Sequence, residues 1–123
     1  MQKIVLPYFL DQMAKNALSG KELELCDAVQ DFYRMGLSCS AFPEPNDTDE
    51  KILAMKAALV ERIAQVFTPP HDRKYEIPDW CKNNWCSPKD IFLISKDILS
   101  LDMPNPVFKK RNIHTLNNFL YFV

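Results

Sequence analysis

Nine prolines punctuate this chain, at positions 7, 43, 45, 69, 70, 78, 88, 104 and 106, and the stretches between them carry helical periodicity. Proline has no backbone N–H and a fixed φ, so it is tolerated at helix starts and between helices but not in helix interiors. Glycine is nearly absent: Gly20 and Gly36 are the only two in 123 residues. Tight hairpins draw their positive φ angles from glycine, so this scarcity argues against an all-β fold. The expectation is an all-α protein, with residues 1–123 forming a single compact domain of five or six short helices. A chain of this length can build one core without disulfide or metal staples.

The periodic segments place the helices. Pro7 opens the first, which runs to about Leu18, with Phe9, Leu10, Met13, Ala14 and Ala17 at helical spacing. Ser19 with Glu22 three residues later reads as a capping box for a second helix. That helix carries the stripe Leu25, Cys26, Val29, Phe32 and Tyr33 and stops at Gly36. The clearest helix spans about Thr48 to Phe67. Asp47 and Glu50 start it, Ile52, Met55, Leu59, Ile63 and Val66 line one face, and Pro69-Pro70 ends it. Lys51, Lys56, Glu61 and Arg62 fall largely opposite that face, and Leu59 sits mid-stripe, where full burial is expected. Ser87-Pro88-Lys89-Asp90 reads as another helix start, followed by Ile91, Ile94, Ile98 and Leu101. The alternative is α+β, with a short strand near 91–94, since four apolar residues in a row fit either state. Ile113, Leu116, Leu120 and Val123 trace a last helix.

Charge and glycine content exclude several functions. The formal net charge of −1 sets up no bulk field for nucleic acid or an acidic membrane. P-loops and dinucleotide fingerprints need several glycines at fixed spacing, which this chain lacks. Lys109-Lys110-Arg111 is the only basic run, and three charges without a wider basic surface are a solvated helix start. Asp47, Asp49 and Glu50 lack the glycine of a calcium loop and read as capping carboxylates. No stretch approaches the roughly 18 apolar residues of a membrane span. With no signal-like N-terminus, the expected location is cytoplasmic, with Cys26, Cys39, Cys81 and Cys86 reduced.

Trp80-Cys81-Lys82-Asn83-Asn84-Trp85-Cys86 holds both tryptophans and half the cysteines in seven residues. Structural zinc prefers two close-spaced pairs of ligands, and here only Cys81 and Cys86 form one. The plain reading is thus small buried thiols, with no metal and no cofactor. A zinc-binding module built on Cys81 and Cys86 is one alternative. A subunit of a cysteine/histidine-dependent enzyme, using His71 or His114, is another, although no local signature supports a pairing. The aromatics Trp80, Trp85 and Tyr75 lie in proline-rich connectors outside the periodic helices, where they either cover the end of the core or form a partner surface.

Residues 1–60 hold six basic and nine acidic side chains, so the N-terminal half is acidic. The functional expectation is a non-catalytic protein-binding module, for instance an immunity protein or antitoxin that occludes a basic toxin domain. Its contact residues would be Trp80, Trp85 and Tyr75 as anchors, with Glu24, Asp27 and Asp31 as the electrostatic complement.

Overall fold

In a computed structural model, residues 2–35, 39, 42–67, 77–83, 85–99, 103–116 and 119–120 are described. Three long helices dominate: α1 (Gln2–Leu18), α2 (Glu22–Arg34) and α3 (Glu50–Phe67). A 3₁₀ turn (Asp79–Lys82), two short helices, α4 (Lys96–Leu99) and α5 (Pro106–Lys109), and two short strands, β1 (Ile91–Phe92) and β2 (Ile113–His114), complete the described elements. The fold is mostly helical, as the proline spacing implies.

The axis is α3. Leu53 through Glu61, Ile63 and Ala64 are all buried, and Leu59 has no exposed surface. A helix enclosed on every side should be apolar all round. Over its buried positions this one nearly is, and Ala54, Ala57, Ala58 and Ala64 let its neighbours approach closely. Lys56 and Glu61 are the exceptions, and the expectation that both face solvent is overturned. The reason is that α1 packs against α3, while the 3₁₀ turn and α5 pack elsewhere on it. The helix ends at Phe67 as read; Pro69 and Pro70 lie outside the described residues. It starts at Glu50, where the Asp49 carboxylate accepts the Lys51 N–H at 2.9 Å. Asp47 is left to pair with Lys56 instead.

α1 begins at Gln2, so Pro7 sits inside it and does not open it. The proposed capping box at Ser19 does not form. Lys21 precedes α2 with no side-chain cap bond. Gly20 has φ +73°, Lys21 N–H reaches Asn16 C=O at 2.9 Å, and Gly20 N–H reaches Ala17 C=O at 3.3 Å. That is a Schellman closure, which uses the left-handed conformation glycine adopts without strain. Ser19-Gly20 is therefore the stop of α1. α2 folds back on α1 and buries Leu25, Val29 and Phe32. Phe42 stacks on Phe32 at 4.7 Å, and the Trp80 indole N–H donates to the Phe42 carbonyl at 2.8 Å, tying the 3₁₀ turn to this end of the hairpin.

The C-terminal third departs most from expectation. No helix starts at Ser87-Pro88. The segment runs alongside residues 111–114 instead: Ser87 N–H bonds Arg111 C=O at 3.0 Å, Ile91 N–H bonds Asn112 C=O at 2.9 Å, and Leu93 N–H bonds His114 C=O at 3.0 Å. β1 and β2 pair in parallel, Ile91 opposite Ile113 and Phe92 opposite His114. The strand alternative near 91–94 therefore holds for Ile91–Phe92. The Ser87 hydroxyl donates to the Lys89 carbonyl and caps nothing. The helix read over 113–123 is also absent from the described part: β2 occupies Ile113–His114, Leu116 bridges to Pro104, and Leu120 has φ +59°. α5 comes earlier, with Asn105 as its cap, accepting from Val107 N–H at 3.0 Å. One continuous core runs from Leu10 through α2 and α3 to Leu120. Among the described residues, no helix is long and apolar enough to cross a membrane.

Candidate functional site

The six residues singled out in the sequence do not meet in one place. Glu24, Asp27 and Asp31 are exposed and, at i, i+3 and i+7, share the outer face of α2. Trp80 is buried, its ring enclosed and its N–H satisfied by Phe42. Trp85 is half-buried, with its ring 6.1 Å from that of Trp80. Tyr75 lies outside the described residues, as does His71. Phe42 and Phe32 link Trp80 to the buried side of α2, whereas the acids face outward.

Glu22 and Glu24 sit in the first turn of α2, where the helix dipole favours carboxylates. Asp27 and Asp31 lie further along, where aspartate is a poor helix former and the dipole offers little. Asp31 pairs with Arg34 at 3.2 Å on the exposed surface. Among the described residues, no base pairs with Glu24 or Asp27. Leu23, 79% exposed, and Tyr33, 61% exposed, stand on the same helix.

Sequence reasoning missed the charged cluster that joins the middle of the chain to residues 110–111. Glu61 accepts from Arg111 at 2.9 Å, and both side chains are buried. The Arg111 guanidinium also donates to the Val107 carbonyl at 2.8 Å and the Cys81 carbonyl at 3.0 Å. It thus clamps α3, α5 and the 3₁₀ turn together. Lys110 adds a contact to Glu61 at 3.0 Å from a more exposed position. Over this cluster opens a cleft of about 500 Å³, with Trp85, Cys86, Lys82 and Lys110 among its walls. The only signal in the sequence was an acid in the middle of an apolar helix. Lys109-Lys110-Arg111 read as a solvated start, yet its third residue is buried.

A second cleft, of about 430 Å³, lies between α1 and the 43–47 segment. Its walls include Pro7, Pro43 and Pro45, and in it the buried Lys56 ammonium bonds both Asp11 and Asp47.

The four cysteines are free thiols. Cys86 is exposed and donates weakly to the Lys110 carbonyl at 3.2 Å. Burial pushes Cys39 up to about 12. Burial also pushes Cys81 up to about 12, with Glu61 adding to the rise and Arg111 opposing it. Burial raises Cys26 too, aided by Glu22 and Asp27. No group of three or more His, Cys, Asp or Glu among the described residues could hold a metal ion. His114 is engaged elsewhere, 3.0 Å from Asp90 and stacked on Phe92.

These thiols give a direct test. Under native conditions at pH 8, iodoacetamide should label Cys86 first and Cys26 more slowly, leaving Cys39 and Cys81 intact until the chain unfolds. Mass spectrometry of timed aliquots reads the order. Prompt labelling of Cys39 or Cys81 would refute their placement. Since folding holds Cys39 and Cys81 protonated, their contribution to stability is complete below pH 9.0 and is lost as pH rises toward about 12. Each should lower unfolding stability by roughly 1 kcal/mol per pH unit within that window.

Compared with family models, curated proteins and solved structures, the chain matches none of them.

Proposed function

We propose that this chain is a non-catalytic protein-binding module that docks a basic partner on the outer face of α2. It would act in the cytoplasm, in the manner of an immunity protein or antitoxin that neutralises a toxin by occluding it. The observation that carries the reading is the composition of that face. Four carboxylates and one arginine lie on a thirteen-residue helix, flanked by exposed Leu23 and Tyr33. Among the described residues no ion pair engages Glu24 or Asp27, and Asp27 weakens the helix it sits in. A complementary basic surface would satisfy both. Acids at such a face steer association, while exposed apolar and aromatic side chains supply burial.

The test begins with cross-linking in a lysate of the native host and identification of what is captured. Binding kinetics of the purified pair follow, with Glu24→Lys, Asp27→Lys and Asp31→Lys combined and Leu23→Ala alone. The charge reversal is expected to slow association by about tenfold or more and to flatten its salt dependence. Leu23→Ala should mainly speed dissociation. A captured partner whose affinity stays within about threefold for both variants would sink the reading.

A further inference from the structure

The cleft beside Trp85 is independent of α2, and the docking face just described makes no use of it. We propose that it binds a small organic anion with a flat apolar body, such as an aromatic carboxylate or a nucleotide-like phosphate.

The argument rests on which charges are committed and which are transferable. Arg111 is spent: its three bonds, to Glu61, Val107 and Cys81, hold the floor of the cleft in place. Among the described residues that line the cleft, Glu61 is the one carboxylate, against three cations, Lys82, Lys110 and Arg111. Arg111 is enough to balance Glu61, so the described lining carries a positive surplus. Lys110 touches Glu61 from a side chain 54% exposed, and exposed ion pairs contribute little. It can turn to an incoming anion while Glu61 keeps its buried partner. Among the described residues, Lys82 is held only by an exposed contact of 3.4 Å to Asp79. Both lysines can therefore move to a ligand without exposing a buried charge.

The wall supplies the second half of the recognition. Trp85 lines the cleft together with Ile77 and is only half-buried, so part of its indole remains accessible. Trp80 backs it at 6.1 Å and is itself fixed by its bond to Phe42, which limits how far the Trp85 ring can yield. An accessible indole beside mobile ammonium groups favours a ligand that stacks and carries negative charge. The volume of about 500 Å³ lies in the range of small-molecule sites.

The experiment is calorimetric titration of the whole chain at low salt with four probes: 2-naphthoate, AMP, and their neutral counterparts 2-naphthamide and adenosine. Amide spectra follow the indole N–H of Trp85. The expected result is saturable binding of at least one anion, about tenfold or more weaker for its neutral counterpart. The same loss should follow from Lys82→Gln combined with Lys110→Gln and from Trp85→Leu, and rising salt should weaken binding. The naphthoate and AMP arms separate carboxylate from phosphate recognition. Both lysines are exposed, so their replacement should leave the fold intact, as circular dichroism would verify. If neither anion saturates, the neutral counterparts bind equally well, or the double lysine variant keeps its affinity within twofold, the site is not an anion site.

Discussion

Glu61→Ala is expected to destabilise the protein by about 3–5 kcal/mol, the range found when one member of a buried ion pair is removed. The size of the loss follows from what is left behind. Arg111 would keep its bonds to the Val107 and Cys81 carbonyls but would stand as an uncompensated charge out of water. Lys110→Ala removes a contact to the same carboxylate from a side chain largely in solvent, so it should change stability by about 1 kcal/mol or less. Arg111→Met behaves differently again. It leaves Glu61 buried with an ion pair to the more exposed Lys110, and it strips two carbonyls of a donor at about 1–3 kcal/mol each. Joining Glu61→Leu to Arg111→Met removes both buried charges, so the double variant should be more stable than the sum of the two single losses predicts. Urea unfolding of these four variants, with the Glu61→Leu single to close the cycle, measures this. If Glu61→Ala loses less than about 1 kcal/mol, the clamp between α3, the 3₁₀ turn and α5 does not bear on stability as argued.

How far each element could be read depends on whether its local signals agreed. At α3 they did: carboxylates at its start, an apolar stripe through Leu59 and a double proline beyond Phe67 all point to one helix. Its polar residues were misread because periodicity assumes one buried side. Lys56 and Glu61 sit where a one-sided helix would face water, but here neighbours pack on that side as well. Ser19-Gly20 was ambiguous for a different reason. A stop built on glycine and a start built on serine use adjacent residues, and only the φ of Gly20 separates them. Beyond residue 87 the elements are two to four residues long, too short for a period to show. There the decisive partner of Ile91 is Ile113, a parallel pairing across a crossover that no local window contains. The site followed the same rule. That Glu24, Asp27 and Asp31 share one exposed helix face was legible because one helix carries them. The cleft was not, because it needs Glu61, Trp85 and Arg111 brought together from distant segments.

The triad of Lys56, Asp11 and Asp47 should respond unequally to loss of its base and loss of its acids. The Lys56 side chain is 5% exposed, whereas Asp11 is 48% and Asp47 26% exposed. Removing both acids, as Asp11→Asn with Asp47→Asn, leaves an ammonium group buried in the middle of α3 with no countercharge. The double variant is expected to lose about 3–5 kcal/mol. Either carboxylate alone still provides the opposite charge, so each single variant should lose about 1 kcal/mol, with the shortfall appearing only when both are gone. Lys56→Met is the informative contrast. Methionine keeps the length of the chain in a largely apolar surround, and the two carboxylates it abandons already touch water and can rehydrate. Its effect on global stability should stay within about 1 kcal/mol. What Lys56→Met should change is local. Asp11 and Asp47 reach Lys56 from α1 and from the segment before α3, so the lysine pins that segment to the core. Hydrogen exchange and proteolysis should then quicken around residues 43–47 while α3 stays protected. Additive losses from the two aspartate variants, or a Lys56→Met loss above about 3 kcal/mol, would show that Lys56 is held by something other than its two carboxylates.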